Sequence, residues 1–107
     1  MRIIVVGAGE VGTYIADRLS RQEHDIALIE LNPERFREID GELDVLVING
    51  SGTDSALLDK AGISETDLLV AATNKDEINL FCALLARQAG VSKTIVRVES
   101  KKLRSIE

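Results

Sequence analysis

Three glycines, Gly7, Gly9 and Gly12, follow directly on the β-branched run Arg2 to Val6 (RIIVV). They lead into apolar residues at Val11, Ile15 and Leu19, one helical stripe at a spacing of four. A strand, then G-x-G-x-x-G, then a helix predicts a β-α unit with a turn too tight for side chains. Gly7 would permit the turn. Gly9 would let a pyrophosphate approach the backbone amides of Ala8, Glu10 and Val11, and Gly12 would let the helix pack on the strand. The helix N-terminus adds unpaired N–H groups and a positive dipole end. The plain alternative is a glycine-rich turn that binds nothing.

The rest of the chain repeats the unit. Asp25–Glu30 (DIALIE), Asp44–Ile48 (DVLVI), Leu68–Ala72 (LLVAA) and Thr94–Val98 (TIVRV) are further predicted strands. Helices are expected after Asn32-Pro33, where Asn caps and Pro fits the first turn. Two more are expected over Ser55–Ala61, stopping at Gly62, and over Asp76–Ala89, stopping at Gly90. A further helix is expected from Lys101 on. Apolar strands between helices predict an α/β fold: a doubly wound parallel sheet, Rossmann-like, covered on both faces. Five strands in order 3-2-1-4-5, stopping before a sixth, lead to the expectation that residues 1–107 are a single nucleotide-binding domain, and a piece of a longer chain rather than a protein small by nature.

Composition narrows the function. A net charge of −5 and a pI near 4.9 argue against nucleic acid and anionic lipid as partners. No apolar run approaches the ~20 residues needed to span a bilayer, so no direct membrane insertion and a cytoplasmic location are expected. The single cysteine, Cys82, rules out an internal disulfide and is expected in the core. One His and one Cys are a poor basis for a zinc site, and no metal ligands are assigned.

Glu30 closes the second strand, 18 residues after Gly12, where a carboxylate accepts the hydroxyls of an adenosine ribose. It would repel a 2′-phosphate, and Leu31-Asn32-Pro33 supplies no cation at once, so NAD or an adenine nucleotide is expected over NADP. In the loop NGSGTD, Gly52 allows close approach and Ser51 and Thr53 could bond a base; Thr53 is also expected to cap the next helix. The stretch Thr73-Asn74-Lys75-Asp76-Glu77 leads from strand four into its helix and is expected along the same crevice. Arg97 stands in an apolar strand and needs an anion, either a ligand phosphate or the carboxylate of Asp76 or Glu77. No Ser-His-Asp set is present, and Tyr14 is followed by Arg18 where short-chain dehydrogenases need Lys. No catalytic residues are assigned.

GAGEVG, the acidic end of strand two, NGSGT, LLDKAGISETDLLVAATNKDEINL and IVRV together resemble the potassium-transport nucleotide-binding domain, also called the RCK or TrkA N-terminal domain. The resemblance covers nearly the whole chain, and Ala61 to Leu80 is its most specific part. It implies a regulatory module of a potassium channel or transporter that binds NAD(H), ATP or ADP. It also implies no enzymatic activity, assembly as a homodimer or higher homo-oligomer, and a place at the inner face of the cell membrane through an integral membrane subunit. Thr73, Asp76, Glu77 and Asn79 match the family's T-x-x-D-E-x-N run and Arg97 its strand-five arginine; many members carry Asp where this chain has Ser51. The other reading of the glycine loop is a cofactor-binding fragment of an NAD-dependent dehydrogenase.

Overall fold

The computed structural model describes residues 1–100. It contains β1 (Arg2–Val6), α1 (Glu10–Ser20), β2 (Asp25–Glu30), α2 (Pro33–Ile39) and β3 (Leu46–Asn49), then α3 (Ser55–Lys60), a 3-10 turn (Ile63–Glu65), β4 (Leu68–Ala71), α4 (Asp76–Gln88) and β5 (Lys93–Val96). The helix expected from Lys101 lies outside the described residues.

All four strand pairings are parallel, in the order β3-β2-β1-β4-β5. β1 is central, with Val6 level with Ile29 on one side and Ala71 on the other. Its side chains alternate between two cores. Ile4 and Val6 pack with Leu58, Cys82 and Ala86 under α3 and α4. Ile3 and Val5 pack with Ala16, Ile39 and Val47 under α1 and α2. The chain moves outward from β1 through β2 to β3, then crosses to β4 on the other side of β1. The loops after β1 and β4 therefore diverge, which is where a doubly wound sheet opens a crevice.

Local chemistry explains most boundaries. The Asn32 side chain accepts the amides of Glu34 and Arg35, with Pro33 as the first helical residue. Gly90 takes the left-handed conformation (φ +91°) that ends α4.

Four expectations are corrected. Thr53 does not cap α3: its hydroxyl is hydrogen-bonded to Ser51 Oγ at 2.7 Å, and the Asp54 carboxylate accepts the Ala56 and Leu57 amides. β3 begins at Leu46, not Asp44, because pairing with β2 starts at Ala27↔Leu46. Val11 is exposed, and α1 packs through Gly12 and Ala16 with Ile15 and Leu19 beside them. The sheet is also not covered throughout: Ile95, on the α1 face of the edge strand β5, is 55% exposed.

Candidate functional site

The crevice between the β1 and β4 loops is an open cleft of about 880 Å³. Gly7, Ala8, Gly9, Glu30, Ser51, Gly52, Thr73, Asn74 and Arg97 all line it. Six other expected residues do not line it. Glu10 and Val11 open α1 with exposed side chains, and Gly12 is buried behind the turn. Thr53, Asp76 and Glu77 are not among the residues that line it.

The three glycines do different things. Gly7 has φ +99°, and a Cβ there would stand 2.9 Å from Thr73 N, so β1 and the β4 loop meet closely at this point. A Cβ on Gly12 would lie 1.7 Å from the Gly7 carbonyl oxygen, which fixes how tightly α1 sits on the turn. Gly9 is ordinary in backbone (φ −75°), and a Cβ there would meet nothing within 4 Å. Gly9 precedes α1 without a side-chain cap, and its own N–H has no acceptor among the described residues.

Glu30 ends β2 with its carboxylate turned to the turn. Oε1 accepts the Ala8 N–H at 2.8 Å and Oε2 the Asn32 N–H at 2.8 Å. Each oxygen keeps a second lone pair. From the first turn of α2, Arg35 Nε donates to the Ala8 carbonyl at 2.7 Å while its Nη1 pairs with Glu38 at 3.2 Å. Lys75 lines the cleft with the stretch expected there, and so do Arg35 and Glu38, which no sequence pattern had pointed to. A signal for Arg35 was available: a cation at the third position of a helix opposes the dipole and wants another reason to be there.

Across the cleft, Asn79 is fully buried. Its Oδ1 accepts from Thr73 N (3.0 Å) and Thr73 Oγ1 (2.6 Å), and its Nδ2 donates to the carbonyls of Thr73 (3.0 Å) and Arg97 (2.9 Å). Asp76 accepts the amides of Glu99 and Ser100, both at 2.9 Å. Arg97 lies just past β5, and the carboxylate it pairs with is Glu99, at 2.5 Å, not Asp76 or Glu77. Strand pairing ends at Val96, so the Arg97 side chain is about a third exposed and needs no buried counterion.

Cys82 sits against Gly52. It is fully buried and its thiol donates to the Gly52 carbonyl at 3.2 Å. Burial pushes the thiol up to about 11, so it is a core residue and no nucleophile at neutral pH. No helix among the described residues is long and apolar enough to cross a membrane.

The TrkA-N domain model matches residues 3–106. A Trk system potassium uptake protein TrkA homolog from Archaeoglobus fulgidus is 42% identical over 100 residues, covering 94% of this chain and 22% of the relative. A homolog of the same name from Pyrococcus abyssi is 40% identical over 99 residues, covering 92% and 44%. The chain thus spans less than half the length of these relatives. Among solved structures, the NAD(P)-binding domain of an exopolyphosphatase-related protein from Archaeoglobus fulgidus superimposes with TM-score 0.80 at 21% identity, covering 94% of this chain and 74% of that one. The Shewanella denitrificans Kef CTD in AMP-bound form gives 0.73 at 24%, covering 89% and 57%. The GsuK channel bound to NAD gives 0.72 at 16%, covering 88% and 21%. At such identities these likenesses establish the fold.

Proposed function

The chain belongs to the TrkA-N domain family, and on that premise we propose that residues 1–107 form one nucleotide-binding regulatory domain of a potassium uptake system. The observation that carries the reading is the turn at Gly9. It is the one cleft-lining glycine of the turn where a side chain would clash with nothing, so its bareness serves the cleft rather than the fold. The residues fit an adenine nucleotide: Gly7–Gly9 and the start of α1 offer amides to the phosphates. Glu30 retains lone pairs for the ribose hydroxyls. Ser51 and Gly52 border the base, and Thr73, Asn74 and Arg97 border the far end. The cleft volume falls in the range of small-molecule sites. NAD(H) is the proposed ligand, with ATP or ADP as the competing adenine nucleotides. Structures of similar fold that hold AMP and NAD support this choice.

The nucleotide acts as a signal and not as a reactant. Both oxygens of Glu30 are occupied by backbone amides, which suits recognition better than proton transfer. The membrane partner is an integral potassium transporter or channel subunit, which places the domain at the cytoplasmic face. A ligand shifts such an assembly only through different affinities for its states, and a useful coupling is about 1–3 kcal/mol per site. The assembly surface is α4, where Leu80, Phe81 and Leu84 form an exposed stripe opposite the face buried by Asn79, Cys82 and Ala86. A second copy of the chain covers that stripe. Calorimetric titration with NAD, NADH, ATP and ADP tests the reading. Absence of heat with all four removes it, and steady nicotinamide turnover with a candidate substrate would favour the dehydrogenase fragment instead.

A further inference from the structure

We propose that Arg35 is a positioning residue of the nucleotide site, which sets the direction of the Gly9 amide by holding the Ala8 carbonyl. The Ala8–Gly9 peptide is planar and trans, so the Ala8 C=O and the Gly9 N–H point in opposite directions. Arg35 Nε holds the carbonyl at 2.7 Å. The Gly9 N–H is thereby turned away from Arg35, and it has no acceptor among the described residues. The preceding peptide is fixed as well, because Glu30 Oε1 accepts the Ala8 N–H at 2.8 Å. Two side chains of opposite charge therefore pin two successive peptide planes of the turn. The arrangement needs explaining, because close contacts already constrain the turn at Gly7 and Gly12, whereas a Cβ at Gly9 would meet nothing within 4 Å. Glu38 holds the other arm of the guanidinium at 3.2 Å and keeps the donor aimed. A pre-oriented amide costs a phosphate no reorganisation on binding. The inference deepens the nucleotide reading and rests on it.

The observed donor is Nε, and this makes a discriminating pair of variants available. In Arg35→Gln the Nε2 stands the same number of bonds from the backbone as arginine Nε, so the donor survives without the charge. Arg35→Met keeps the length and loses the donor. The arginine side chain is about a third exposed. Two measurements are made on the parent and both variants: the Gly9 amide resonance with its exchange rate in ligand-free protein, and affinities for NAD, ADP and adenosine. Arg35→Met is expected to move the Gly9 resonance and speed its exchange. It should weaken NAD and ADP about 10-fold, the factor carried by one hydrogen bond to a charged group, and leave adenosine unchanged; Arg35→Gln should match the parent throughout. An unmoved Gly9 amide in Arg35→Met overturns the proposal. So does equal loss with Gln and Met, which would make the effect one of charge, or equal loss of adenosine, which would place Arg35 on the ribose or base. If the parent binds no nucleotide, the site reading fails, and the free-state Gly9 amide still decides whether Arg35 holds the turn.

Discussion

Asn79 and Arg97, eighteen positions apart, are joined inside the molecule by a 2.9 Å hydrogen bond from the Asn79 amide to the Arg97 carbonyl. The same carboxamide grips Thr73 through three further bonds, so one buried side chain ties the β4 loop to the chain leaving β5. Asn79→Ala deletes all four and strands the Thr73 amide. A loss of about 2–4 kcal/mol is expected, read as a lower urea midpoint with an unchanged slope. A loss below ~0.5 kcal/mol, the scale of a neutral surface substitution, would mean that water replaces the carboxamide without penalty.

Gly9→Val places a branched side chain where nothing else stands. The fold should persist, with melting close to the parent. NAD and ADP affinity should fall by at least ~100-fold, about 2.7 kcal/mol. Retained affinity in a folded variant would end the phosphate-cradle reading.

NADP should bind at least ~10-fold more weakly than NAD, about 1.4 kcal/mol, because the proposed site sets the Glu30 carboxylate against the ribose. Arg35 does not offset this, since Glu38 and the Ala8 carbonyl engage it. Glu30→Gln should narrow the gap by weakening NAD more than NADP. Competition titration checks both statements, and equal affinities in the parent would remove Glu30 from the ribose.

The buried Cys82 thiol gives a pH signature. Its folded value of about 11 lies above the 9.0 of an open thiol, so the folded state holds its proton over that interval while the unfolded chain releases it. Its contribution is complete below pH 9 and disappears as pH rises through 9 toward 11, by up to about 3 kcal/mol. Cys82→Ala should flatten this alkaline loss at some cost in packing. An identical alkaline slope in parent and variant would assign the loss to other groups. Thiol reagents at pH 8 should label Cys82 only at the rate of unfolding.

The α4 stripe should make the chain a dimer. Phe81 is 45% and Leu84 52% exposed, on the side of α4 away from its own core. Light scattering at tens of micromolar should return about twice the 11.6 kDa chain mass, and Leu84→Glu should return the single mass. A parent that scatters as one chain removes both the interface and the proposed route from cleft to partner.

Much of this architecture was legible because strong local signals agreed. The apolar runs of β1, β2 and β4, the Asn32-Pro33 helix start and the stops at Gly62 and Gly90 each have a cause within a few residues. Neighbouring candidates were harder to separate. Thr53 and Asp54 both suit a cap, and the choice turned on a Ser51 hydroxyl that claims Thr53. Arg97 looked like a buried charge because the strand was expected to run to Val98; it ends at Val96 and leaves Arg97 beside Glu99. In the cleft, the glycines and Glu30 announced themselves by spacing. Arg35 showed only as a cation misplaced against the helix dipole, since its partner is a carbonyl 27 positions back, and no side-chain pattern encodes a backbone oxygen.

The unequal work of the three glycines bears on how such a turn changes over descent. Gly7 and Gly12 are enforced by atoms of the chain itself, at 2.9 and 1.7 Å from any added Cβ, so selection for folding alone preserves them. Gly9 meets no such neighbour, so on the proposed reading only a ligand that must come close would keep it a glycine. A lineage that abandoned its ligand would keep the first and third glycines and let the middle one drift. The middle glycine is thus the position whose variation among descendants records whether the cleft is still in use.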